Sequence, residues 1–221
     1  MKNKVELLLR ENVMLFQKKR VDLIHSCLGM EGFEISNESV KAIYDKTIVP
    51  MADITAANAV LNLKEGCREI IQNLRGEVSL EFLKTLNKEI ARDDSFDWGV
   101  LRNSRLFLQG TDYVPEIPQE SDVELKIGEI LKLESDTEKA LNLFCYLLKS
   151  NIFWGRNLSL SFIVANKIMI EAGCGIIFVE EDKIDEFRSM YMAFLDSDSN
   201  KEQFINYVYD NCICTDRVDR L

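Results

Sequence analysis

The sequence is poor in residues that interrupt helices, with 10 glycines and 3 prolines among 221 residues. That scarcity argues against a loop-rich β-sandwich and for an α-helical chain. Histidine occurs once, as His25, which leaves little material for imidazole-based metal or acid–base sites. No uninterrupted apolar run approaches the roughly 20 residues that span a bilayer. The longest candidate, Leu158 to Ile170, is broken by Ser159, Ser161, Asn166 and Lys167. The opening Met1-Lys-Asn-Lys-Val5 lacks the apolar core of a secretory signal. Positive charge is also short, with 27 Lys+Arg against 37 Asp+Glu and a net charge of −10. Such a surface repels phosphate backbones and anionic lipid, and no local basic patch offsets it. The expectation is a soluble, cytoplasmic chain with neither a nucleic-acid nor a membrane partner.

What remains is an ordinary globular balance, 47% hydrophobic and 29% charged, in a length that suits one well-cored domain. Cysteine usage fits a reducing compartment. Cys27, Cys67 and Cys145 fall in helical patterns, where a free thiol acts as a small hydrophobe. Only Cys212-Ile-Cys214 has ligand-like spacing, and a single C-x-C with one histidine in the chain does not make a metal site.

Helical periodicity dominates. Leu9, Val13, Phe16, Ile24 and Cys27 recur at helical spacing and predict an amphipathic helix over about 4–28, stopped by Gly29. Ser36 caps a shorter helix to Tyr44, and Pro50 falls in the next connection. Helices follow at about 52–74 and from Ser79 to about 91. Three S-x-x-E boxes, Ser121/Glu124, Ser135/Glu138 and Ser199/Glu202, predict helices at about 122–133, 136–149 and 200–211. Pattern alone adds 158–172, closed by Gly173, and 182–195. The exception is 105–115, where Leu106 and Leu108 alternate, Gly110 and Asp112 supply a turn, and Pro115 ends the pairing. It reads as a lone β-hairpin with open edges, inserted among helices. The fold class is all-α with a small β-hairpin, in one domain over 1–221.

This order of features resembles the Fic/Doc (Fido) family. Members share a helical core, a hairpin flap and a helix–loop–helix whose loop reads H-x-F-x-[D/E]-G-N-[G/K]-R. Ser26-Cys-Leu-Gly-Met-Glu31-Gly32, with Ile35-Ser36 and Val40, is similar to the regulatory pattern [S/T]-x-x-x-E-[G/N] within a helical stretch of about 20–45. Leu61-Asn62, with the helix after it, is similar to the family's next core helix. Gly99-Val-Leu-Arg102 and Gly110-Thr-Asp-Tyr-Val-Pro115 resemble the G-x-x-R segment and the flap. Ala165-Asn166-Lys167, Ala172-Gly173 and Ile176 to Val179 resemble the helix and turn after the active loop, and Asp182 to Ile213 the closing helices.

The active loop, 150–161, departs from the motif. Asn151 stands where the family has its histidine, Gly155 at the metal-binding carboxylate, Arg156 at the first glycine, Leu158 at the Gly or Lys and Ser159 at the arginine. Phe153 and Asn157 match, and Phe162 replaces a second arginine found in many members. The resemblance implies transfer of AMP from ATP, with Mg²⁺, to a Ser, Thr or Tyr hydroxyl of a target protein. The histidine would be the general base, a step worth roughly 10²–10⁴ in rate. No Asp or Glu lies between Glu138 and Glu171 to replace the metal ligand, and Ser159 cannot neutralise phosphate.

The expected function is therefore that of a degenerate Fic-fold protein, lacking standard AMP transfer and acting as a binding or regulatory module. The alternative is a divergent adenylyl- or nucleotidyltransferase. Arg156 and Asn157, with Lys149 nearby, are candidate nucleotide-binding residues at a helix N-terminus. Against this, Arg156 reads as a solvated loop cation and Asn157 as a helix cap. Phe153 and Trp154 either wall a nucleobase or plug the loop onto the core. Leu106, Leu108, Gly110, Thr111, Asp112 and Tyr113 are the candidate flap edge for a protein or peptide partner. Glu31 and Gly32 are the regulatory candidates. In members with this helix the glutamate pairs with the second arginine and blocks ATP, and its removal switches the enzyme on. With Phe162 at that position, Glu31 is expected to be solvated, bonded to backbone, or paired with another cation such as Arg156. His25 reads as a partly exposed helix-terminal residue, remote from the loop.

Overall fold

The computed structural model describes residues 1–47 and 53–216. Pro50 and the residue expected to open the third helix at 52 lie outside them. The described elements are α1 (Leu9–Met30), α2 (Asn37–Tyr44), α3 (Ile54–Gln72), α4 (Leu80–Ile90), α5 (Glu120–Ile130), α6 (Asp136–Ser150), α7 (Asn157–Ala172), β1 (Ile176–Ile177), α8 (Ile184–Asp196), α9 (Lys201–Cys212) and β2 (Ile213–Cys214).

α7 is the central helix. It is apolar around most of its circumference, and Leu160, Phe162, Ile163, Val164, Ala165, Met169 and Ile170 are all buried. A helix buried on all sides must be wrapped by others, and α1, α3, α4 and α6 surround it. Its buried polar residues serve the wrapping. Asn166 donates to the Ile177 carbonyl and accepts from the Ile177 amide, both at 2.7 Å, so β1 is held like a strand against the helix. Lys167 reaches the carbonyls of Leu74 and Gly76 after α3. Across α6, Phe162 meets Phe144 edge-on at 4.7 Å, at one end of an aromatic cluster with Phe187, Phe194 and Phe204.

Ser36, Ser79 and Ser135 cap α2, α4 and α6 through their side chains, and Gly173 ends α7 with φ of 71°. Other boundaries move. α1 starts at Leu9, because the preceding backbone is extended and the Leu7 amide bonds the Gly173 carbonyl at 2.8 Å. α1 also runs past Gly29 to Met30, and the left-handed residue is Gly32, φ 90°. Ser121 lies inside the first turn of α5, whose cap is Gln119, and Ser199 lies in a short 3₁₀ turn whose cap is Ser197.

The all-α architecture with a small antiparallel sheet stands, but among the described residues the sheet is not at 105–115. It is formed by β1 and β2, with Ile176 opposite Cys214 and Ile177 opposite Ile213. The arms of 105–115 do not pair with each other. They bend at Gln109–Gly110, and Arg102, which is fully buried, donates to the carbonyls of Ser104 at 2.8 Å and Pro115 at 3.1 Å. Arg102 thus ties both ends of the segment to the body of the protein.

Candidate functional site

The loop between α6 and α7 is bracketed by two left-handed residues, Asn151 (φ 43°) and Arg156 (φ 58°). For a residue with a side chain that conformation costs about 1–2 kcal/mol, so surrounding bonds must hold it. Asn157 supplies one set. Its Oδ1 accepts from the Phe153 amide at 2.9 Å, and its Nδ2 donates to the Phe153 carbonyl at 2.8 Å. It is therefore the first helical residue and a clasp across the loop, not the helix cap. Phe153 is buried in the core and forms a single antiparallel bridge with Leu101. Asn87 supplies a second set, accepting from the Gly99 amide at 2.9 Å and donating to the Gly155 carbonyl at 3.1 Å. Gly155 lies so close to Ser95 that a Cβ added there would stand 2.6 Å from the serine Cβ.

Arg156 is neither a solvated cation nor an open phosphate receptor. Its guanidinium is buried between two carboxylates, with Nε on Asp94 at 2.5 Å, Nη1 on Glu31, and the Phe33 ring at 4.6 Å. Burial alone would lower its pKa, but Glu31 and Asp94 outweigh that and hold it above the ordinary arginine value. The other oxygen of Glu31 accepts from the Ser159 amide at 3.1 Å and from the Ser159 hydroxyl at 2.9 Å. Ser159 is the third residue of α7, so a carboxylate of the same chain receives the free N–H and the positive end of that helix. Pairing of Glu31 with Arg156, one of the arrangements expected from the loss of an arginine at 162, is what the structure contains.

Above this clamp opens a cleft of about 650 Å³. Glu31, Gly32, Asn151, Gly155, Arg156 and Asn157 line it, together with Leu106, Leu108, Trp154 and Tyr191. Trp154 is half-buried and rests against the exposed Phe96, ring centres 5.1 Å apart. Phe153 and Ser159 are fully buried beneath the cleft. Gly110, Thr111, Asp112 and Tyr113 lie away from it beside Asp196, to which the Thr111 hydroxyl donates. Lys149 also faces away, towards Tyr113, Phe194 and Asp198. His25 is buried, not partly exposed, with Nε2 3.0 Å from the Ile35 carbonyl oxygen.

Three residues that position the site, Asp94, Asn87 and Phe33, escaped sequence reasoning, as did the role of a fourth, Arg102. Asp94 sits in Arg92-Asp93-Asp94, a run that reads as solvated surface. Asn87 and Phe33 carry no motif. Arg102 was visible only as the last residue of G-x-x-R. Besides the flap carbonyls, it donates to those of Asn151 at 2.6 Å and Ser150 at 3.2 Å, neutralising the C-terminal end of α6. Burial pulls its pKa down.

Chemically, the cleft offers no base at position 151, where the Asn151 amide donates to the Leu148 carbonyl at 2.6 Å. Burial pushes the Tyr191 phenol up to about 12, so it is protonated at neutral pH. The acids at the cleft, Glu31 and Asp94, are both engaged by Arg156, and Gly155 brings no carboxylate. These residues do not fit Mg²⁺-bound ATP. No group of three or more His, Cys, Asp or Glu side chains that could hold a metal occurs among the described residues, nor does a helix long and apolar enough to cross a membrane.

No protein-family model matches the sequence, and no curated protein matches it significantly. Solved structures do. Fic-1 (residues 134–508) from C. elegans superposes with a TM-score of 0.72 at 16% identity, over 89% of this chain and 61% of that one, so this chain spans under two thirds of that solved chain's length. A Fic domain containing signaling protein from Bacteroides thetaiotaomicron gives 0.73 at 13% identity, over 92% and 86%. IbpAFic2, in complex with adenylylated Cdc42, gives 0.53 at 13% identity, over 90% and 76%. The central buried helix, the loop before it and the cleft above are thus arranged on a Fic fold.

Proposed function

We propose that this chain is a Fic-fold protein without standard AMP transfer, which acts as a binding or regulatory module through its cleft. The observation that carries the reading is Glu31. Its carboxylate takes the Ser159 amide and the Arg156 guanidinium together, and so fills the anion position at the N-terminus of α7. The side chains at 151, 155 and 159 supply no base, metal ligand or phosphate cation. The walls of the cleft favour a protein or peptide partner. Leu106 and Leu108 turn inwards from an extended segment, Trp154 closes one side, and Phe107 stands 76% exposed beside them. A Fic-fold protein in complex with Cdc42 supports a partner of that class.

Divergent nucleotide transfer is the second reading, favoured by a cleft of nucleotide size directly over the α7 terminus. Incubation with labelled ATP, CTP, GTP and UTP plus Mg²⁺ or Mn²⁺ and lysate separates the two. The proposal expects no incorporation, and ATP affinity that is weak and indifferent to Mg²⁺. Robust incorporation that disappears in Asn157→Ala would replace it with the second reading.

A further inference from the structure

Among the described residues, the charged side chains that line the cleft are Glu31, Asp94, Arg156 and Arg188. Arg188 is engaged on the α8 side, where it donates to the Gly29 carbonyl and to Asp185. At the N-terminus of α7 this leaves one guanidinium against two carboxylates. The position carries a net charge of −1 with Glu31 in place and of zero without it. The side chains of Glu31 and Asp94 are each 13% exposed and that of Arg156 is 5% exposed, so water screens the three charges little.

Glu31 shows what the position holds. One carboxylate oxygen takes the amide and the hydroxyl of Ser159, at 3.1 and 2.9 Å, and the other takes Nη1 of Arg156. The Glu31 backbone is fixed in the last turn of α1, its amide donating to the Cys27 and Leu28 carbonyls at 3.0 and 3.1 Å. Rotation of the side chain is therefore enough to vacate the position. Asp94 does not leave with it. Its carboxylate grips the far side of Arg156, with Nε at 2.5 Å, and its own amide is tied to the Ala91 carbonyl at 3.2 Å.

We propose that Asp94 is the specificity-determining residue of this position, and that it makes the N-terminus of α7 a site for a single carboxylate in preference to phosphate. With Glu31 swung aside, Asp94 cancels the charge of Arg156. An added carboxylate restores the net charge that Glu31 gives the site, whereas a phosphate dianion sets a second charge against Asp94 in a place that water screens poorly. The inference rests on the binding-module reading and deepens it. The ligand of the cleft carries a carboxylate, from a small acid or from an acidic side chain of a partner protein, where a nucleotide carries phosphate.

The test is a titration of Glu31→Ala at constant ionic strength and about pH 8, where phosphate is a dianion. The probes are propionate, N-acetylglutamic acid α-amide, its uncharged glutamine counterpart and inorganic phosphate. Melting temperature and the ¹⁵N amide shift of Ser159 are the readouts. Both carboxylates should bind saturably and about tenfold more tightly than phosphate, and the glutamine derivative should not bind. Tighter binding of the glutamate derivative than of propionate points to a side chain as the source, and the reverse to a small acid. Adding Asp94→Asn should favour phosphate more than carboxylate and reverse their order. If Glu31→Ala does not fold, the ranking is read on Glu31→Gln, whose side chain lacks the charge that holds Arg156. Phosphate binding as tightly as the carboxylates, no saturable binding by any probe, or an order unchanged by Asp94→Asn would overturn the assignment. None of these results touches the binding-module reading, which falls only if labelled nucleotide is incorporated.

Discussion

Replacing Glu31 by alanine removes the anion of α7 and one of the two carboxylates on Arg156. The lost bonds are those from the Ser159 amide and hydroxyl and from the Arg156 guanidinium. Hydrogen bonds to a charged group are worth about 1.5–3 kcal/mol each. Two effects reduce the sum, because Asp94 stays on Arg156 and the cleft admits water to the vacated amide. A net loss of about 2–4 kcal/mol follows, and for a chain of this size each kcal/mol lowers the melting temperature by about 2–4 °C. Glu31→Ala should therefore melt roughly 5–15 °C below wild type, and Glu31→Gln, which keeps a hydrogen-bonding oxygen, should lose less. Phosphate should raise the melting temperature of Glu31→Ala more than that of wild type, since only the variant leaves the helix terminus and Arg156 open to an added anion. Neither variant should transfer labelled AMP, whereas the resemblance to regulated Fic proteins implies activation. Thermal melts and the nucleotide assay are run on the same preparations. A wild-type melting temperature in Glu31→Ala would refute the structural role given to the carboxylate. Strong transfer would show that a working nucleotide site exists without a histidine at 151.

Restoring the motif acid with Gly155→Asp should fail, because its Cβ meets that of Ser95 at 2.6 Å. A stability loss of about 1–3 kcal/mol is expected, with no Mg²⁺-dependent ATP binding by calorimetry and partial recovery of stability in Gly155→Asp with Ser95→Gly. Arg102→Leu leaves the carbonyls of Ser150, Asn151 and Pro115 without their donor, and should cost on the order of 3–5 kcal/mol while making 105–115 readily cut by protease. Burial raises the thiols of Cys67, Cys145 and Cys212 from 9.0 to about 12. The folded state thus keeps these protons longer than the unfolded chain, and their contribution to stability, complete below pH 9, is lost as pH rises towards 12. The loss is roughly 1.4 kcal/mol per thiol for each unit above 9, measured as falling melting temperature in alkali. A flat profile there would mean that these thiols are open to solvent in the native protein.

The helices were legible because their signals are local. Ser36, Ser79, Ser135 and Gly173 act within one turn of their own position, and the largely apolar stretch from Leu158 to Ile170 carries a helical pattern closed by Gly173. Ser121 and Ser199 misled for a compositional reason: a chain with 37 acids places a glutamate three residues after a serine often by chance. Leu7 extended the apolar spacing of α1 backwards although its amide belongs to Gly173, a partner far away in sequence. The alternation at 105–115 turned Leu106 and Leu108 to one side, but alternation says nothing about whether the two arms pair, and Arg102 ties the flanking Ser104 and the terminal Pro115 carbonyls to the body instead. At the site, the partner of Glu31 could be narrowed because a buried carboxylate needs a cation and the loop offered Arg156. Asp94 could not, since nothing local distinguishes an acid that ends up against a buried arginine from one that stays in water.

The loop separates shape from chemistry. Position 156 is left-handed although an arginine fills it, and Asn157 makes a clasp that needs no nucleotide. On the proposed placement of the loop, the side chains at 151, 155 and 159 fall where the family motif has its proton, metal and phosphate groups. Arginine at 156 also brings the cation that pairs with Glu31. A phosphate arriving at α7 must displace a carboxylate from both Ser159 and Arg156. That carboxylate is tethered in the same chain, one residue beyond α1, so it competes at an effective concentration of about millimolar or more. Free nucleotide at ordinary levels gains little against it. A partner that moves Met30 to Phe33, residues on the rim of the cleft, would uncover the anion position without having to outcompete the carboxylate. On the proposed reading, control of the site would run through what binds the cleft and not through the nucleotide itself.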